Sequence, residues 1–466
     1  MSNTPNPPSN NDNDGDAGNN PDFEKMFQQL FGNAAGQNPF EAFQAHGGFG
    51  SNAEFMSMFN GLQQLLNSPS DQGLDKKVIQ DIAQQTLNNR QDDSDASSDA
   101  TALPNLDLVS EEKSIRESFI IATQWLNERT HIPENSELPR AWSRQTWIRE
   151  TLPAWIDLAT PVSESVTAAL INVLKEQIGA TPFAGFDPTT IFGKLGKAVF
   201  GMQLGNATGN LAKEVFGSTD IGFPLLREPS STLIPENVYA FAKDLSIPIE
   251  EVRIFLALRE SAHNRLFSHT PWLRPHILNL IENYSNGIEI DTRALEDSVS
   301  SIDPTDTEAL QIALSSGVFK PQSTPEQQQT LLRLETFLAL IEGWVDEVTA
   351  TAAEGRLKHT SALQEMLRRR RAAGGPAEAA FAELVGLELR PRRSREAAKL
   401  WATIVERKGS EERDRLWDHI DLLPKASDLD TPENYFDRVT KEQTNNEGLD
   451  AFLADLLGSE PNEDEK

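Results

Sequence analysis

Apolar residues along most of this chain recur at intervals of three and four, the spacing of one face of an α-helix. In "SIRESFIIATQWLNERT", Ile115, Phe119, Ile120 and Trp125 fall on that spacing, and Ser114 stands where a helix cap would. "AWSRQTWIRETLPAWIDLATPVSESVTAALINVLKEQIGA" reads as two further helical runs punctuated by prolines. "TFLALIEGWVDEVTATAA", 336–353, reads as a strongly apolar helix. No stretch alternates with period two, and no Asn-Gly pair is flanked by alternating apolar residues. The pattern predicts a mainly α, multi-helix globular domain.

The pattern fails at both ends. Residues 1–20 are almost all Asn, Pro, Asp, Gly and Ser, which cannot bury enough apolar surface to offset the entropy of ordering. Residues 22–66 hold short amphipathic pieces, "FEKMFQQLF" and "AEFMSMFNGLQQLL", separated by Gly-rich stretches, and 89–102 read as a linker. The expected organisation is a disordered N-terminal region with short amphipathic helices over 1–105, a helical domain over 106–445, and an acidic tail over 446–466. The amphipathic pieces are loosely ordered helices or docking helices for a partner.

Composition narrows the function. The 466 residues are 38% hydrophobic, and the formal net charge is −29. Such a surface repels nucleic-acid backbones and anionic membranes, so neither is expected as a partner. The absence of cysteine excludes disulfides, thiolate metal sites and thiol nucleophiles. The N-terminus has no basic and then apolar segment of a secretory signal, and no stretch approaches ~18 consecutive apolar residues. A cytoplasmic location follows as the default. Oligomeric state is not readable.

Several motifs have bland readings. Gly201, Gly205 and Gly209 stand four apart in a helical run. Glycine in a helix interior costs ~1 kcal/mol, so the row predicts tight helix packing; it lacks the Gly-Lys-Ser/Thr ending of a phosphate loop. Arg368–Arg371 and 390–395 are basic islands that should pair with local acids, with an anion site as the alternative. His419, beside Asp418 and near Asp421, reads as a capping or surface cluster, or else as a metal or proton-transfer cluster.

The sharpest candidate is "LRESAHNRLFSHTPWLRPH", 258–276. Glu260 and His263 lie about 60° apart on a helix and share a face. The segment looks like an H-E-x-x-H zinc helix with Arg259 in place of the first histidine, and arginine has no lone pair for a metal. Pro271 disfavours helix at Thr270, so the helix should end at about His269, freeing that side chain as a further candidate ligand. Glu342 and Asp346, i and i+4 in the apolar 336–353 helix, are costly to bury unless paired or bound to a cation. Two readings stay open. In one, these residues converge on a metal. In the other, Arg259 pairs with Glu342 in a buried bridge and His263 is only hydrogen-bonded. A di-iron bundle would need a second E-x-x-H helix, and none is found.

"FGMQLGNATGNLAKEVFGSTDIGFPL", "LRESAHNRLFSHTPWL", "ALIEGWVDEV", "FAELVGLELRPRR" and "RLWDHIDLLP", in this order, resemble the bacterial zincin-like metallopeptidase family over about residues 107–440. The resemblance implies a zincin-like helix pair and a zinc-dependent metallopeptidase or related hydrolase acting on a peptide or protein. It implies Glu260 as the general base on zinc-bound water, His263, Glu342 and His269 as zinc ligands, and Asp346 as a support behind a ligand, with Arg259 next to them. The competing expectation is a catalytically inactive relative that works as a binding or scaffold module.

Overall fold

In a computed structural model of the chain, the described residues are 75–88, 108–178, 188–243, 245–287, 324–372, 393–441 and 444. The segments 22–66, 89–102 and 446–466, and the family motif at 381–393 except Arg393, lie outside them. The described residues are helical almost throughout. Their helices are α1 (Lys76–Asn88), α2 (Leu108–Asn127), α3 (Arg144–Ile178), α4 (Pro188–Leu211), α5 (Pro235–Lys243), α6 (Ile249–His269), α7 (Leu273–Asn286), α8 (Pro325–Ala353), α9 (Thr360–Ala372), α10 (Ser394–Lys408) and α11 (Ser410–Arg415). Residues 432–441 are also helical. One two-residue parallel pairing, β1 (Arg140–Ala141) with β2 (Thr232–Leu233), is the sheet among the described residues.

Three boundaries differ from expectation. Helix α2 begins at Leu108, so Ser114 lies inside it and bonds back to the carbonyl of Ser110 instead of capping. Its buried stripe is Ile115, Phe119, Ala122 and Leu126, whereas Ile120 faces solvent. The proline-punctuated run forms one helix, α3, with Pro153 and Pro161 inside it. Trp147, Leu152, Trp155, Leu158 and Val162 are buried on both sides of each proline, and that continuous packing outweighs the missing backbone donors. Packed structure also starts upstream of residue 106: α1 buries Val78, Ile79 and Ala83. It lies along the glycine row of α4, where a Cβ at Gly209 would stand 2.6 Å from the carbonyl of Ala83. The row serves packing, as its spacing predicts.

Helix α6 lies in the middle of the core and is buried nearly all round, which explains its mixture of apolar and charged residues. Its buried arginines have partners on other elements. Arg253 pairs with Glu111 of α2 at 3.2 Å, and Arg265 donates to the carbonyls of Thr123 and Ile132 and to Asn127. Helix α8 packs against α6 on one side and against α10 on another, where Trp401 donates to the carbonyl of Leu340 at 2.9 Å. A second polar node holds α8 through Trp344 and Glu347. Arg413 donates to Glu347 at 2.5 Å and to Asp414 at 2.7 Å, and Asp414 also accepts from Trp344, Thr130 and the amide of His131.

Candidate functional site

The site is the crossing of α6 and α8, roofed by the segment 212–231 and by α9. As expected, α6 stops at His269, one residue before Thr270-Pro271. Arg259, Glu260 and His263 are all buried on α6, and Glu342 and Asp346 are buried on α8.

Arg259 reaches across to α8. Its Nη2 donates to Oε2 of Glu342 at 2.8 Å and its Nη1 to Oδ1 of Asp346, so one guanidinium bridges two carboxylates four residues apart. Burial disfavours its charge, but Asp346 and Glu342 outweigh this and raise its pKa. His263 sits beside it. Its Nδ1 donates to the carbonyl of Arg259 at 3.1 Å, and its Nε2 faces Oε1 of Glu342 at 3.1 Å. Both ring nitrogens thus face oxygen atoms of neighbouring groups.

Further cations come from α9. Arg371 contacts Oε2 of Glu342 at 2.5 Å, Arg368 lies 3.7 Å from Oδ2 of Asp346, and Arg370 donates to Asp220 at 3.3 Å. The basic island at 368–371 does pair with acids. Arg369 takes the local Glu365, while the other three reach acids remote in sequence. Burial pushes the Glu342 carboxyl up. Arg371, His263 and Arg259 push harder the other way and hold it well below the usual carboxylate range.

Glu260 is turned to a different task. Its Oε1 accepts from the amide and hydroxyl of Ser218 at 2.9 and 2.6 Å, and from the amide of Thr232 at 3.4 Å. Its Oε2 accepts from the hydroxyl and amide of Thr219 at 2.5 and 3.2 Å. Both oxygens are filled by the roof segment. Burial raises its pKa, and the bonds from Ser218 and Thr219 offset part of that rise. The roof comes this close because two of its residues lack side chains. A Cβ on Gly217 would stand 2.6 Å from Oε2 of Glu260, and one on Gly222 would stand 2.5 Å from Oε1 of Glu342. Gly222 also takes φ +74°, a conformation that favours glycine.

The structure therefore separates the residues that the resemblance groups as one zinc site. His263 and Glu342 do meet, at a spacing two ligands of one ion would show. Zinc needs further donors at about 2.0–2.3 Å. Arg259 has none to offer. His269 is exposed, with Nδ1 held on the carbonyl of Arg265 at 3.1 Å, because six residues along a helix carry it away from the face of His263. Asp346 supports a guanidinium instead of a histidine ligand. Among the described residues, no group of three or more His, Asp or Glu is placed to hold a metal. The residues present do not fit zinc; guanidinium groups stand on the carboxylates that a cation would take. His419 is exposed and caps the short turn Ile420–Leu422, accepting from the amide of Asp421 at 3.2 Å. Residue reasoning missed Asp220, the Ser218–Thr219 clamp and the specific reach of α9. The two hydroxyls after Gly217 were the available signal, and nothing in their spacing names Glu260 as their target.

The chain matches the model of the zincin-like metallopeptidase family over residues 75–436. It belongs to that family. Among solved structures it is similar to a "putative hydrolase with a novel fold" from Chloroflexus aurantiacus, with TM-score 0.54 and 17% identity, covering 79% of this chain and 99% of that one. At that identity the likeness speaks for the fold alone. No curated protein matches the chain.

Proposed function

We propose that this chain is a member of the zincin-like metallopeptidase family that works by binding a peptide or protein ligand, without zinc-assisted hydrolysis. One observation carries the reading: Arg259 bridges Glu342 and Asp346, so a fixed side-chain cation already holds the carboxylate that the resemblance offers to a metal. A zinc ion there would face Arg259 and Arg371 at short range, a like-charge contact inside a low-dielectric site. The saturation of both Glu260 oxygens adds to this, since the nominal base has no lone pair directed at a substrate or water.

The second reading is the zinc-dependent hydrolase. It is favoured by the 3.1 Å approach of His263 Nε2 to Glu342 Oε1. Elemental analysis of protein purified without a metal column, beside His263→Ala, separates the two. Less than about a tenth of a zinc per chain after exposure to zinc supports the binding reading. About one zinc per chain, lost in His263→Ala, overturns it, since that is the stoichiometry of a mononuclear site. Cytoplasmic location is part of the proposal. No helix among the described residues is long and apolar enough to cross a membrane.

A further inference from the structure

The carboxylates at the site are approached from outside by one helix. Arg368, Arg370 and Arg371 all leave α9, while their acceptors come from two places, Glu342 and Asp346 on α8 and Asp220 in the roof segment. The acid side chains are 5–13% exposed, whereas the arginine side chains are 22–29% exposed. The donors thus enter from the solvent side, and withdrawal of α9 uncovers the acids.

The fit of this occupant is incomplete. Oδ2 of Asp346 is buried and has no hydrogen bond, and neither has the buried Nε of Arg368, although the two groups face each other at 3.7 Å. A buried acceptor and a buried donor left unbonded are costly, so a better placed guanidinium would be held more tightly there. The apolar anchoring of α9 is slight, and the rest of its hold comes from the same arginines, Arg370 also donating to the carbonyl of Glu214 and lying over the ring of Phe216. Leu363 and Leu367 are its buried apolar side chains, and it follows a turn in which Gly355 takes φ +70°. Arg259 shows what the wall accepts, a planar fork spanning two carboxylates, which an ammonium group cannot do.

Resting on the reading of the chain as a peptide-binding protein, we propose that the carboxylate wall of Asp220, Glu342 and Asp346 is a recognition site for arginine side chains of a peptide ligand. Arg368, Arg370 and Arg371 are its occupants in cis. A net charge of −29 draws such a ligand to the protein. The ligand displaces α9, and its affinity is set by the fraction of molecules in which α9 has left.

Anisotropy titrations of the full chain with labelled nona-arginine and nona-lysine test this. Nona-arginine should bind about tenfold more tightly than nona-lysine, because a guanidinium presents a planar set of donors to a carboxylate where an ammonium presents a point charge. R368Q/R371Q should tighten nona-arginine binding by about tenfold, as expected when a competing internal state is removed. R149Q/R415Q removes the same charge from exposed positions and should change binding less than about twofold, because surface pairs there are weak. Equal affinity for both peptides, or equal tightening in both variants, would mean that bulk acidity alone attracts the peptide and overturns the site. Absence of binding by the wild type and by R368Q/R371Q also overturns it. Should R368Q/R371Q not fold, hydrogen exchange on the wild type decides: nona-arginine must speed exchange across 360–372, and unchanged exchange overturns the proposal. Zinc content is read on the same preparations. Zinc in the wild type sinks the non-catalytic reading, whereas no zinc together with no peptide binding sinks the arginine site alone.

Discussion

Arg259 Nη2 lies 2.8 Å from Glu342 Oε2, and the same guanidinium holds Asp346 one turn further along α8. This bridge ties the two central helices together with both partners almost fully buried. Removing one partner of such a network strands uncompensated charge. Arg259→Ala should lower stability by about 3–5 kcal/mol, read from the urea midpoint at constant m-value. Arg259→Lys should recover only part of that loss, because an ammonium cannot span both carboxylates. Full recovery by lysine would show that charge alone matters and the fork does not.

The same geometry makes residue 259 the missing ligand of a zinc site. In Arg259→His, the new imidazole would share the α6 face with His263, which already meets Glu342 at 3.1 Å. The variant should gain a zinc-dependent stabilisation that the wild type lacks, seen as a raised thermal midpoint and amounting to about 2.7 kcal/mol at zinc a hundredfold above Kd. No response to zinc in the variant would show that the α6–α8 crossing is too distorted for a zincin centre. Peptidase activity is not expected even then, since Glu260 remains tied to Ser218 and Thr219.

Acid should expose the role of Glu342. Its folded pKa lies below the unfolded value, as Arg371, His263 and Arg259 overcome the effect of burial. Between the unfolded value of about 4.3 and the lower folded one, the unfolded chain binds a proton that the folded chain does not, so stability falls as pH falls. Above that window the contribution is fully present. Glu342→Gln should start from lower stability at pH 7 and lose less between pH 5 and pH 3 than the wild type, as measured by urea titrations across that range. Parallel curves for the two proteins would remove Glu342 as the source of the acid sensitivity.

Much of this site is legible along the chain. The Thr270-Pro271 step ends α6 where it should, and carboxylates at 342 and 346 inside an apolar run announce a buried cation partner. The choice of cation is not legible. Arg259 is visible as an exception to a zinc motif, and a bridge to Glu342 is one of the two readings open from the residues. Arg368 and Arg371 reach Asp346 and Glu342 only because the turn after Ala353 folds α9 back over α8, a tertiary event with no local signature. The glycine row behaves similarly. Its small residues predict a tight partner, but the partner is α1, which stands apart in sequence and has only Val78, Ile79 and Ala83 as its buried stripe. Local pattern identifies the surfaces that need covering; long-range packing decides what covers them.

Gly222 offers the sharpest test of the roof over the site, because two penalties coincide there. It takes φ +74°, and an added Cβ would stand 2.5 Å from Oε1 of Glu342, the atom His263 faces. Gly355 at +70° and Gly409 at +87° share the positive φ, but a Cβ on either meets open space. Alanine at Gly355 or Gly409 should therefore cost only the conformational strain, about 1–3 kcal/mol. Gly222→Ala carries that strain and must also push the roof away from Glu342, so its cost should exceed theirs by a further 1–3 kcal/mol or so, the usual range for overpacking a tight interior. Thermal midpoints of the three variants give the ranking directly. Equal losses would mean that the roof yields freely, and the close cover that the 212–231 segment gives to Glu342 would then contribute nothing to holding the cluster in place.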